Sequence, residues 1–244
     1  MITRLTGRVG SLLVVLLIAG ACTAGPGATP QSLAPTTSQI SSPAQPVVSP
    51  TPVAPMSPDA FWAGLFSGEP DAVTYPSVGE LIKGSDAVVL ASFVGVTSGP
   101  NSDAGSGYTN YMATVTLQVD RVLHGSLRSG SGTVPLAVFL GVGPAGTTEN
   151  PYAAFIKQMI TSMPHERGVL FMVNMAAYYQ RFDPDASSRY DPSAYQVTSS
   201  QGLVRDVAGV AQPPSNAPGA WPMTFKGRPF DDVLSEIASV KPGP

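Results

Sequence analysis

Cysteine, histidine and charge are all scarce in this chain. The 244 residues include 1 Cys and 2 His, which excludes an internal disulfide framework and leaves too few ligands for a structural zinc site. Charged residues make up 12% of the chain, with 13 basic and 16 acidic side chains. Because nucleic-acid binding needs a clear basic excess, nucleic acid is not expected as a partner.

Glycine and proline are abundant instead. There are 25 of each, so together they form about a fifth of the chain, against an average of about 12%. Apolar residues still account for 43%, which is enough to bury a core. The composition therefore predicts a folded domain joined to extended Pro- and Gly-rich segments.

The first 21 residues have the layout of a secretory signal peptide. Arg4 and Arg8 precede an apolar run over residues 9–21, which is shorter than the roughly 20 residues that a spanning helix needs. Removal of this segment leaves 11 basic and 16 acidic residues. The sequence therefore predicts export of a mildly acidic protein.

A short motif, Ile18-Ala19-Gly20-Ala21-Cys22, closes the apolar run. It resembles the lipobox of bacterial lipoproteins, in which the Cys receives a diacylglyceryl group and the signal peptide is cleaved just before it. The resemblance implies lipid attachment at Cys22, further acylation of the new amino terminus, and anchoring on the outward face of the bacterial cell membrane. The alternative is ordinary cleavage after Ala19-Gly20-Ala21, which gives a freely secreted protein.

Residues 23–58 contain nine prolines, and no charged residue occurs between Arg8 and Asp59. Such a composition cannot form a packed core and is typical of a disordered, semi-extended spacer. Together these patterns predict a signal peptide over 1–21, a lipidated tether over 22–58, an apolar connecting segment over 59–74 and a globular domain over 75–241.

The connecting segment carries Phe61, Trp62, Leu65 and Phe66 at helical spacing. Two interpretations stay open from the sequence. The segment is either a short helix that docks on the domain, or an apolar stretch that rests on the membrane surface.

The hydrophobic pattern of 75–241 alternates between short strands and short helices. Strands are predicted at 87–96, 111–120, 132–140 and 168–174, followed by a hairpin of 195–198 and 203–207. Helices are predicted at 77–84, at 151–163 with Asn150 as its cap, and around Phe230, Val233, Leu234 and Ile237. Residues 99–107 and 212–222 have loop composition, and 122–125 are expected to form a turn that ends the second strand.

This element order predicts a mainly β, α+β fold: a small antiparallel OB-like β-barrel with two or three short helices. Three segments, 85–89, 119–125 and 168–172, resemble the netrin-like, TIMP-type OB barrels. The resemblance implies a barrel and a binding role. It does not imply protease inhibition, because the disulfides and the inhibitory amino-terminal Cys of that family are missing from the domain.

We find no catalytic signature and expect neither an enzyme nor a cofactor. The stretch 141–146 matches G-x-G-x-x-G, but Pro144 removes a donor from the supposed phosphate cradle, so a Gly-rich loop is expected there. His124 and His165 are expected in exposed turns. A hydrolase that uses paired carboxylates remains an alternative, because such pairs leave no local motif.

Two further clusters follow the last predicted core strand. Asp183, Asp185 and Asp191 form an acidic loop, but Ser188 and Ala194 break the EF-hand order, so we expect no metal site there.

The second cluster consists of four tyrosines and an arginine that form a candidate ligand platform: Tyr178, Tyr179, Arg181, Tyr190 and Tyr195. Aromatic rings beside a cation can bind a glycan or a peptide. The alternative is cross-strand tyrosine pairs on a hairpin face.

The sequence thus predicts an exported, membrane-anchored lipoprotein with a non-catalytic interaction domain on a flexible tether. Its expected partners are the membrane, through the lipid on Cys22, and an envelope protein. The alternatives are a binder of cell-wall glycan or peptidoglycan and an envelope hydrolase.

Overall fold

A computed structural model describes residues 54–66, 74–128, 132–182, 185, 190–215, 217 and 219–241. The predicted signal peptide, the lipobox with Cys22, and the tether up to residue 53 lie outside the described residues. Contacts divide the chain into two units, 1–49 and 50–244. All of the structure described below belongs to the second unit.

The described part of the chain is an α+β domain with more strand than helix. Its eight strands are β1 (Ala87–Ser98), β2 (Ser102–Gly105), β3 (Tyr108–Gly125), β4 (Thr133–Pro144), β5 (Gly168–Asn174), β6 (Tyr195–Val197), β7 (Leu203–Val207) and β8 (Val210–Gln212). Its five α-helices are α1 (Pro58–Gly64), α2 (Val78–Lys83), α3 (Ala153–Thr161), α4 (Met175–Gln180) and α5 (Phe230–Ser239). The sequence predicts two or three helices. It leaves α1 as one of two interpretations, and it does not predict α4.

Strand pairing forms a cycle that returns to β1. β1 pairs antiparallel with β3 along its length and with β5 over residues 87–91. β3 pairs with β4, and β5 pairs with β6. A single pairing, Leu136 with Tyr195, joins β4 to β6, and it is parallel. Every other pairing between the named strands is antiparallel, in line with the predicted mostly antiparallel sheet. β2 extends the sheet beside β3, and β7 and β8 extend it beyond β5.

The predicted hairpin of 195–198 and 203–207 does not form. β1 occupies one edge of β5, so β6 and β7 follow one another along the other edge, each antiparallel to β5. The 3₁₀ turn Ser200–Gly202 connects them. The turn-like composition of this segment favoured a hairpin. Local sequence does not show that both flanking strands pair with β5 instead of with each other.

Alternating side chains divide the interior into two apolar clusters. In β1, Val89, Ala91 and Phe93 face the inside of the strand cycle, whereas Val88 and Leu90 face the layer under α2 and α5. β5 follows the same rule, with Leu170 and Met172 inside and Val169 and Phe171 outside. Such two-sided burial explains why both strands are nearly continuous apolar runs.

Several other expectations are confirmed. Ser77 caps α2, its Oγ accepting the Glu80 N–H at 3.3 Å. Four of the five predicted inward residues of β3 are buried: Tyr111, Ala113, Val115 and Leu117. Val119 is half-buried, and Met112 is buried although the alternation placed it on the wet face. The four apolar residues of α5 are buried: Phe230, Val233, Leu234 and Ile237.

Three local expectations are wrong. Residues 122–125 continue β3 rather than ending it, because β1 pairs with β3 as far as Gly125 through two bulges. Part of the predicted loop 99–107 forms β2, since backbone pairing needs no apolar side chains. Helix α3 begins at Ala153, two residues beyond the predicted start, and the Asn150 side chain accepts the Tyr152 N–H ahead of it. Ile160 of this helix is exposed rather than buried.

Helix α1 belongs to the folded domain. Phe61 and Trp62 are buried and pack their rings against Phe93, with centroids 5.0 and 4.6 Å apart. Gly168 allows this approach, because a Cβ there would lie 2.7 Å from the Trp62 ring. The membrane-surface interpretation of this segment is therefore wrong for 58–66.

We expect Phe61→Ala to lower the free energy of unfolding by about 3–5 kcal/mol, as for other large buried aromatic side chains. Phe182→Ala is the matched control: Phe182 is 74% exposed, and its loss should change stability by less than about 0.5 kcal/mol. Urea unfolding of the full chain in mild detergent measures both. Equal effects of the two substitutions would mean that α1 does not pack on the domain.

Candidate functional site

Helix α4 begins directly at the end of β5, and a buried asparagine fixes it there. Asn174 Oδ1 accepts the Ala177 N–H at 3.1 Å and so caps the helix. Its amide nitrogen donates to the carbonyls of Pro192 and Ala194 at 2.8 and 3.2 Å. The same residue therefore holds the 192–194 segment against the start of α4.

A narrow cleft lies between the start of α4 and the 190–194 segment on one side and the outer face of β3 and β4 on the other. Its lining includes Met112, Thr114, Ala137, Met175, Tyr190 and Ala194. Met112, Met175 and Ala194 are buried and form a separate apolar cluster, with Phe139 and Tyr179 packed against it. We call this feature the aromatic cleft. Its volume is about 60 Å³, well below the 300–1,000 Å³ of typical small-molecule sites.

A series of aromatic rings leads from the cleft to the solvent. Tyr179 and Tyr190 stack with ring centroids 4.7 Å apart and planes at 15°. Tyr178 meets Tyr179 edge-on at 5.3 Å and Phe182 at 5.5 Å. Phe182 is the most exposed large apolar side chain among the described residues, at 74%. Such a patch is typical of a contact surface rather than of a core.

The structure separates the predicted platform residues into two groups. Tyr178, Tyr179 and Tyr190 lie together at the cleft, and Arg181 is exposed at the carboxyl end of α4. Tyr195 is fully buried inside the strand cycle, where its hydroxyl accepts the Arg128 N–H at 2.9 Å. It therefore contributes no surface to a ligand platform.

The hairpin interpretation of the tyrosines is also wrong, because Tyr178 and Tyr179 lie on a helix. Sequence reasoning missed Phe182, which lies four residues after Tyr178. The i, i+4 spacing of two aromatic residues was the available signal.

Tyr75 lies close to the end of α4. Burial raises the pKa of Tyr75 above its usual value of 10.0, the nearby Tyr178 raises it further, and the positive charge of Arg181 lowers it. Gln201 holds the Tyr75 backbone, accepting its N–H at 2.7 Å and donating to its carbonyl at 3.1 Å. The Tyr75 ring itself packs against the apolar cluster under α2 and α5.

The two histidines lie in different surroundings. His124 is half-buried near the end of β3, not in an exposed turn, and its Nε2 lies 2.6 Å from the Ile237 carbonyl oxygen of α5. His165 is exposed, as expected. The G-x-G-x-x-G stretch lies partly in β4, so the Gly-rich loop expected there is shorter than predicted.

The acidic loop in which no metal site was expected is only partly described. Asp183 and Ser188 lie outside the described residues, and Asp191 accepts the backbone N–H and the hydroxyl of Ser193 at 2.8 and 2.7 Å. Among the described residues, no group of three or more His, Cys, Asp or Glu side chains could hold a metal ion.

A pair of carboxylates does meet beneath α1. Glu166 and Asp59 both bind Arg205, which is 9% exposed, and Glu166 also accepts the Trp62 Nε1–H at 2.8 Å. Arg205 lies between the two carboxylates and forms an ion pair with each of them. The arrangement explains how α1 is held on the domain, because Asp59 and Trp62 of this helix both bond to the buried Arg205–Glu166 pair.

Comparison with known proteins adds no relative: no family model, no curated protein and no solved structure matches the chain. Within the described residues, no helix is both long enough and apolar enough to cross a membrane.

The charges at α4 give a pH-dependent prediction. The pKa of the Tyr75 hydroxyl is higher in the folded than in the unfolded chain, so the hydroxyl of the unfolded chain is deprotonated at lower pH. The free energy of unfolding therefore falls as the pH rises above 10.0. Tyr75→Phe should reduce that fall, and Arg181→Gln should raise the pKa of Tyr75 further. Absorbance titration of tyrosinate and unfolding curves above pH 10 measure the two effects.

Arg128→Gln is the control, since Arg128 is not among the groups that act on Tyr75. An equal shift in the control would contradict the assignment.

Proposed function

We propose that this chain is an exported bacterial lipoprotein, anchored through Cys22, whose domain binds an envelope protein through the aromatic cleft. The lipobox-like motif and the uncharged Pro-rich spacer support the anchoring. The aromatic cleft is the observation that carries the binding role. The domain works as an interaction module and not as an enzyme.

The domain is an OB-like barrel in this proposal. The pairing cycle β1-β3-β4-β6-β5-β1 supports it, as does α3, which follows the first three strands of the cycle. OB barrels bind ligands on the face of their second and third strands, between the loops that follow the first and fourth. The corresponding elements here are β3, β4, the segment after β1 and the α4 region, and the cleft lies among them.

The partner offers an apolar side chain on an extended segment. The cleft is too small for a sugar ring with its hydroxyls and water, and methionine and alanine side chains dominate its inner wall. Methionine adapts its shape to different apolar side chains. Outside the cleft, the edge-to-face pair of Tyr178 and Phe182 provides an aromatic surface that the rest of the segment can contact.

This geometry favours a protein partner over wall glycan at the aromatic cleft. A glycan site needs many exposed hydrogen-bonding groups around the ligand. The cleft supplies few, and one of them, the Asp191 carboxylate, is already bonded to Ser193. For this reason we rank wall glycan second, after a protein partner, as the ligand of the aromatic cleft.

The anchor is tested by Cys22→Ala. Lipid attachment requires the Cys22 thiol, so in a bacterial host the wild-type chain should incorporate an alkyne-labelled fatty acid and sediment with membranes. The substitution should abolish the label. Thr23→Ala is the control, because it changes the neighbouring residue and keeps the acceptor. A wild-type protein that carries no label and accumulates in the culture medium would contradict the anchor.

The cleft is tested by filling it. Ala137→Trp places an indole in the cleft, and Val142→Trp places the same ring at a position of β4 that is 51% exposed and outside it. A random peptide library, selected on the full chain in detergent, should yield peptides that share one apolar anchor residue. Ala137→Trp should weaken their binding at least about tenfold, or about 1.4 kcal/mol, and Val142→Trp should not.

Two results would refute the cleft as the binding site. One is a library that yields no enriched peptide. The other is a set of peptides that bind the Ala137→Trp variant as tightly as wild type. Thermal unfolding of both Trp variants shows whether each remains folded under the binding conditions.

A further inference from the structure

A second concave surface lies on the other side of the loop between β1 and β3. It is an open groove of about 740 Å³, bounded by residues 98–109 on one side and by 145–150 on the other. This volume falls within the range of sites for small organic ligands. The groove is distinct from the aromatic cleft, although Ser102 contributes to both.

The walls of the groove are fixed by hydrogen bonds between its two sides. The Ala145 N–H donates to the Gly107 carbonyl at 2.8 Å. The Tyr111 hydroxyl lies 2.6 Å from Thr147 Oγ1, and Asn150 Nδ2 donates to Ser98 Oγ at 3.4 Å. A ligand that binds here therefore meets a preformed surface and does not have to order the two loops.

The chemistry of the lining selects for a neutral ligand rich in hydroxyl groups. Serine and threonine hydroxyls and two asparagine amides dominate the groove, and each can donate and accept hydrogen bonds. Among its described lining residues there is no Lys or Arg, and Asp103 is its one carboxylate. A phosphate or an acidic sugar would meet this negative charge without a compensating cation.

An exposed aromatic ring completes the site. Tyr108 lines the groove and is 51% exposed, at the end of the β2–β3 hairpin. A sugar ring has hydroxyls at its edge and C–H groups on its face, and such a face packs well against an aromatic ring.

We propose that this groove binds a neutral oligosaccharide, which packs against Tyr108 and bonds to the surrounding hydroxyl and amide groups. This site stands apart from the proposed partner surface. The aromatic cleft accepts an apolar side chain, whereas the groove accepts a polyhydroxylated chain.

The test is an array of neutral and acidic glycans probed with the full chain in detergent. Neutral glycans should bind, and Tyr108→Ala should reduce their binding at least tenfold. Tyr178→Ala is the matched control: it removes a tyrosine from the surface beside the cleft and should change glycan binding less than twofold. Asp103→Asn keeps an acceptor for the Gly105 N–H, which Asp103 Oδ1 binds at 2.7 Å, and removes the charge, so acidic glycans should gain binding relative to neutral ones.

The proposal is overturned if no neutral glycan binds, or if binding survives Tyr108→Ala. A loss caused by Tyr178→Ala, or by Ala137→Trp, would move glycan recognition to the aromatic cleft and would also overturn it. Neither result decides whether the cleft binds peptides, because the peptide selection has its own variants and readout.

Discussion

The structure depends on one strand segment that is shared by two pairings. Residues 87–91 of β1 pair with β3 on one edge and with β5 on the other, and both faces of the segment are buried. A shift of one residue would turn Val89 outward and Val88 inward, exchanging the two apolar clusters. The register of this segment against β3 and its register against β5 must therefore agree. One register thus sets both the cycle of strands and the apolar layer under α5.

This constraint also positions the two surfaces. β1 continues beyond its pairing with β5 and carries bulges relative to β3, which bend the pair and direct the following segment over the outer face of β3. β2 then returns along β3 through Gly105 and Gly107, both at positive φ, where a side chain would be strained. The short strand β2 therefore separates the aromatic cleft from the groove, and each surface takes one of its walls from this hairpin.

The parts of the fold that could be predicted from the sequence are those in which burial follows a simple period. β5 is a continuous apolar run and was found with its observed bounds, and α5 was found from its apolar stripe. The path of β6 and β7 could not be predicted, because it depends on β1 occupying the opposite edge of β5. For the same reason Tyr195 looked like a surface residue, although its parallel pairing with Leu136 buries it. The tyrosines of α4 were found by composition, but the packing of Tyr179 against the cluster of Met112, Met175 and Ala194 depends on contacts between segments distant in the chain.

The shared wall would link the two proposed sites thermodynamically. Ser102 lines both surfaces, and its hydroxyl accepts a hydrogen bond from Asn110 of β3 at 3.2 Å. A ligand in the cleft that shifts this short strand also changes the shape of the groove. Any such effect must be reciprocal: the factor by which a peptide changes glycan affinity equals the factor by which a glycan changes peptide affinity. The position of β2, a four-residue strand paired along only one edge, makes it the element through which the two surfaces can be coupled.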